Sequence, residues 1–142
     1  MKFFAGLNAW MIPVAAIVSF LFGGIWYGLL SKHWIAAARM DETALKAKGP
    51  SAAPFVITLI AQLFMAWMLA GLLLHMSKAG LPGNLRNGVI TALFMWAGFV
   101  MPTMIVNQRF QLLSWKLTCI DGGHWLGALL LQGAILGVWG LA

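Results

Sequence analysis

Acidic residues are nearly missing from this chain. Its 142 residues include three, Asp41, Glu42 and Asp121, against nine lysines and arginines. Charge of either sign is absent from four long stretches: between Lys2 and Lys32, between Lys48 and Lys78, between Arg86 and Arg109, and from Gly122 onward. Each stretch is long enough for a spanning helix, which needs roughly 20 mostly apolar residues. Only 8% of residues are charged and 62% are hydrophobic, whereas a soluble domain carries about 25% charge. The runs do not alternate, so a β-barrel is not expected. The single cysteine, Cys119, excludes an internal disulfide and is too few for a metal cluster. No HxxxH, CxxC or G-x-S-x-G spacing occurs, and no set of acid, base and nucleophile is visible. Neither an enzyme nor a cofactor is therefore expected. The first apolar run has no acid, which argues against a proton-coupled exporter of the small four-helix kind.

What is present predicts an all-α integral membrane protein, a single domain over residues 1–142. Four antiparallel helices are placed at about 8–30, 54–76, 85–108 and 119–141. The first is read as a retained helix rather than a signal peptide, because its apolar run continues to Leu30, past a signal core of roughly 7–15 residues. Asp41-Glu42-Thr43-Ala44-Leu45-Lys46, ended by Gly49-Pro50, reads as a short helical segment lying on the membrane surface beside Trp34 and Ile35. Pro102 should kink helix three. The net charge of +6 is scattered through the connectors, which suits anionic lipid headgroups rather than nucleic acid.

Orientation follows from the basic residues. The first and third connectors hold Lys32, Arg39, Lys46, Lys48, Arg109 and Lys116, against Lys2, Lys78 and Arg86 on the other side. That bias puts those two connectors in the cytoplasm of an inner-membrane protein and both termini outside. Trp10 and Trp139 then mark the outer interface, and Trp26, Trp34, Trp115 and Trp125 the inner one. Trp67 and Trp96 fall near mid-depth, where they pack helices two and three together or line a cavity. Ser19, Gly23, Gly24, Tyr27 and Gly28 on helix one form small-residue faces. So do Gly123, Gly127, Gly133 and Gly137 on helix four. These faces suit close helix contacts, within the chain or in a homo-oligomer.

Polar residues inside the spans are the candidate site. Trp26, Tyr27, Gln62, Asn107, Arg109, Asp121 and His124 gather toward the cytoplasmic half. Asp121, His124, Ala128 and Gln132 share an arc of about 80° on helix four at 100° per residue, and Thr103 and Asn107 share a face of helix three. Asp121 and His124 are an ionisable pair at i and i+3, so they can touch and relay protons. Alternatively, Asp121 caps the start of helix four or neutralises Arg109 or Lys116, and His124 hydrogen-bonds between helices.

Two blocks carry a family resemblance. Phe22-Gly23-Gly24-Ile25-Trp26-Tyr27-Gly28, followed by Lys32-His33-Trp34, is the first. The second is Asn107-Gln108-Arg109-Phe110, then Lys116-Leu117, Ile120-Asp121-Gly122-Gly123-His124 and Gly133-Ala134-Ile135-Leu136-Gly137-Val138-Trp139. Together they resemble the bacterial membrane family "domain of unknown function 1761" over nearly the whole chain. The chain departs from it in having Gly123, not an aromatic, before His124. The resemblance implies a small four-helix membrane protein with Trp26, Tyr27, Asn107 and His124 in signature blocks, and it implies no activity. Two functions remain as expectations. One is binding or translocation of a small molecule or ion through the inner polar pocket. The other is a structural or assembly role through helix–helix contacts with another membrane protein.

Overall fold

The computed structural model describes residues 6–41, 43, 44, 47, 49 and 51–141, and every regular element among them is helical. Helix α1 spans Met11–Ala37, α2 Ala53–Lys78, α3 Leu85–Phe110 and α4 Trp115–Trp139. The first three are long and apolar enough to cross a membrane, which points to a membrane protein. Helix α4 is of similar length but less apolar, because Asp121, His124, Gln132 and several glycines dilute its leucines.

The segments before α1 and after α4 meet, with the Asn8 N–H donating to the Gly140 carbonyl at 2.9 Å. The opposite end of the bundle holds the connectors 38–52 and 111–114. This connector end differs from the sequence expectation in two ways. Helix α1 runs past Leu30 and carries Lys32, His33 and Trp34 with it. Helix α4 begins at Trp115, with Ser114 as its cap accepting from the Leu117 N–H at 3.2 Å. Both α1 and α3 end without glycine. Arg39 (φ 55°) and Leu112 (φ 57°) take the left-handed conformation instead. The next residues, Met40 and Leu113, donate back to Ile35 and Gln108, closing each helix as a Schellman turn. Asp41 Oδ1 accepts from the Thr43 N–H at 2.8 Å. Glu42, Leu45, Lys46, Lys48 and Pro50, and with them most of the expected surface segment, lie outside the described residues, as do residues 1–5 and 142.

The expected disturbance at Pro102 takes the form of a π-helical turn, Trp96–Val100, within α3. The Met101 N–H donates to the Trp96 carbonyl five residues back. A wider turn removes the clash between the proline ring and the carbonyl of Gly98, which would otherwise accept from the missing N–H.

Helix α4 is the centre of the bundle and touches all three others, while α1 and α3 touch each other least. Glycine makes this possible. A Cβ at Gly88 of α3 would fall 2.9 Å from the Gly133 carbonyl carbon and 3.0 Å from Gly137 Cα. The glycine pair late in α4 therefore finds its partner within the chain. Gly123 and Gly127 lie under the rings of Trp26 and Phe22. Gly24 and Gly28 of α1 have nothing within 4 Å of a Cβ. Trp96 packs against the core cluster that includes Ala66, Leu69, Ala70 and Leu73 of α2. Its Nε1 donates to the Gly122 carbonyl of α4 at 2.8 Å. Trp67 is 41% exposed, with its ring edge-on to Phe64.

Equilibrium unfolding in mixed micelles should separate these positions. Gly88→Ala is expected to lose about 1–3 kcal/mol by overpacking. Gly28→Ala is expected to gain about 0.5–1 kcal/mol, the ordinary benefit of alanine inside a helix. Leu112→Gly should gain about 1 kcal/mol by relieving the left-handed backbone, since the leucine side chain is 77% exposed.

Candidate functional site

Asp121 lies nearly two turns inside α4, so it is not the cap of that helix. It faces α1 and α3. Its Oδ1 accepts from the Tyr27 hydroxyl at 2.9 Å and from Trp34 Nε1 at 3.0 Å. Its Oδ2 accepts from Gln108 Nε2 at 3.0 Å. The three partners are donors and none is charged. An ionised carboxylate only accepts, so the arrangement suits that form.

Gln108 is held from behind. Its Oε1 accepts from the Thr118 hydroxyl at 2.6 Å, and Thr118 in turn accepts from Arg109 at 2.9 Å. Arg109 also donates to the Ser114 carbonyl at 3.1 Å and lies 4.0 Å above the Trp115 ring. Its charge is thus spent on the connector and an indole face, and not on Asp121. The Ser114 hydroxyl donates to the Ala37 carbonyl at 2.8 Å and ties the end of α1 to the start of α4. Trp26 Nε1 donates to the Ile120 carbonyl at 3.0 Å beside this group.

A cavity of about 520 Å³ opens in front of the carboxylate, lined by Trp34, Asn107, Gln108, Gln111, Asp121 and Trp125 among others. Its size falls within the roughly 300–1,000 Å³ of small-molecule sites. A second cavity, about 570 Å³, lies between α1, the exposed first turns of α2, and α4. Its walls are largely apolar, and Gly24, Gly28, Tyr27, His124 and Trp125 line it. Trp125 lines both spaces, and Tyr27, on the wall of the second, reaches Asp121 on the wall of the first.

The expected residues therefore separate into several places. Tyr27, Asp121 and, through Gln108 and Thr118, Arg109 come together, with Trp26 as a neighbour. Asn107 does not face inward. It is exposed at the cavity rim, and Gln108 takes the inward position expected of it. Thr103 is likewise exposed. Gln62 belongs to a deeper cluster with Ser19 and Gln132, all three fully buried. Gln132 Nε2 donates to Ser19 Oγ at 2.9 Å, and the Ser19 hydroxyl also contacts Gln62 Oε1. Gln62 Nε2 and Gln132 Oε1 have no partner among the described residues.

His124 makes no hydrogen bond between helices among the described residues. It is 2% exposed, its Nδ1 has no partner there, and the rings of Tyr27 and Trp125 each lie 4.8 Å from its own. Phe22 stacks on it at 6.2 Å, and a Cβ on Gly23 would meet its Nε2 at 2.7 Å. Trp34 and Gln108 are the two residues that sequence reasoning missed. The extended α1 and the π turn in α3 bring them onto Asp121.

Hydrogen bonds to a charged acceptor decide the next prediction. Tyr27→Phe should cost about 1–2 kcal/mol of stability in micelles, while Asn107→Ala should stay within about 0.5 kcal/mol. The reverse order would show that Asn107, and not Tyr27, holds the carboxylate.

A family model described as "Protein of unknown function (DUF1761)" matches residues 10–137. Neither the curated proteins nor the solved structures give a match. The matched span contains all four helices nearly whole, and with them Tyr27, Trp34, Gln108, Asp121 and His124. The chain belongs to the DUF1761 family of proteins of unknown function.

Proposed function

We propose that this chain is a four-span integral membrane protein that binds a small polar molecule in the pocket around Asp121. The observation that carries the reading is a carboxylate oriented by three neutral donors at the wall of a cavity of about 520 Å³. An ionisable group inside a spanning helix is costly and is retained for a purpose by default. Helix α4 is read as the fourth span. Its 25 residues are long enough, and its polar side chains turn toward the other helices rather than toward lipid. The basic bias of the two connectors puts the pocket on the cytoplasmic side. Binding or translocation is favoured over catalysis because the groups at the cavity are amides, indoles and one carboxylate.

The test is thermal unfolding of the chain in lipid nanodiscs against a panel of small polar metabolites. A ligand at 100 times its Kd adds about 2.7 kcal/mol, and at least one compound should raise the wild-type midpoint. Asp121→Asn should abolish the response. If the wild type responds to nothing and the variant is only less stable, the pocket reading fails. The assembly role would then stand, supported by the open face at Gly24 and Gly28.

A further inference from the structure

We propose that the ligand of this pocket is a small organic cation carrying N–H donors, a protonated amine. The inference rests on the pocket reading and adds the chemical class. Charge comes first. The partners of Asp121 among the described residues are Tyr27, Trp34 and Gln108, all neutral. The nearest cation in sequence on α3, Arg109, is engaged with Thr118, the Ser114 carbonyl and the Trp115 face. A half-buried carboxylate without a counter-ion favours a ligand that brings one.

The carboxylate's remaining hydrogen-bonding capacity has the same sign. A carboxylate offers about four lone-pair sites, and three are used here, two on Oδ1 and one on Oδ2. The free site is on Oδ2, and it accepts. At the cavity wall, the side-chain amides of Asn107 and Gln111, which offer both donors and acceptors, make no hydrogen bond among the described residues. An ammonium group has three donors and no acceptor. It therefore complements the free site on Oδ2, which repels an anion, and the two amides can turn their oxygens toward it.

The walls select an organic cation over a bare metal ion. Trp34 and Trp125 line the cavity with Met40, Met104, Leu113 and Leu117. Indole is the best cation–π partner among the side chains, whereas calcium demands six to eight oxygen ligands and magnesium a near-octahedral shell. No group of three His, Cys, Asp or Glu that could hold a metal exists among the described residues.

The experiment uses the full chain in nanodiscs and two matched probes, 2-phenylethylammonium and its neutral near-isostere 2-phenylethanol, with methylammonium as a minimal cation. Titration calorimetry should show the ammonium probe binding at least about tenfold more tightly than the alcohol, a difference of about 1.4 kcal/mol. Asp121→Asn should erase the preference. Because that variant also alters the buried network, Gln111→Trp provides an independent check. It fills the rim from an exposed position and should block the probe without loss of stability. Equal binding of ammonium and alcohol, or competition by equimolar sodium, overturns the amine assignment. So does failure of both cations while a neutral panel compound binds and is blocked by Gln111→Trp. In those cases the pocket reading survives. Failure of every compound sinks both.

Discussion

Helix α4 can carry a carboxylate, an imidazole and a glutamine only because three other helices close around it. A buried polar side chain without a partner costs several kcal/mol, so each buried polar residue of α4 dictates what must stand opposite. Tyr27, Trp34 and Gln108 stand opposite Asp121, and Ser19 and Gln62 stand opposite Gln132. The glycines make this reach possible. Where Gly88 meets Gly133 and Gly137, the helix backbones touch. Such close approach yields the dispersion contacts that hold helices together where burial from water gives no driving force. The largely apolar outer surfaces of α1, α2 and α3 follow from the same arrangement, because Ser19, Tyr27, Gln62 and Gln108 are turned toward α4.

Most of the helical framework was legible because absence of charge over a membrane-length run has few other meanings. The helix ends were less so. A C-terminal glycine is the usual signal, but α1 and α3 stop at Arg39 and Leu112, residues that rarely adopt the left-handed conformation these turns require. With its end unmarked, the apolar run alone stops α1 at Leu30 and leaves Trp34 in a connector. The start of α4 was hidden in the same way. Ser114 is an ordinary cap, but the basic residues around it read as loop, which made Asp121 look like a cap itself.

Face assignment failed at one physical step. At 100° per residue, Thr103 and Asn107 share a stripe. The π turn at Trp96–Val100 adds one residue to a turn and rotates everything beyond it by one position. Met104 and Gln108 then point where Thr103 and Asn107 were expected, and both line the cavity. Pro102 was the visible cue. A proline announces that the hydrogen-bond ladder is interrupted, but not whether the helix answers by bending or by widening. For α4, which has no such interruption, the arc faces inward as the spacing predicts, and His124, Ala128 and Gln132 are all buried. What the arc could not show was that His124 meets rings and not hydrogen-bond partners.

The chain has a single tyrosine, and it is the one whose hydroxyl meets Asp121. Its ring also lies 4.8 Å from that of His124 and 5.9 Å from that of Trp34. A phenol vibration, a tyrosine-selective label or an isotope placed in tyrosine therefore reports from this site alone, with no background from the rest of the molecule. The composition thus supplies a built-in spectroscopic reporter at the position where carboxylate, indole and imidazole come together.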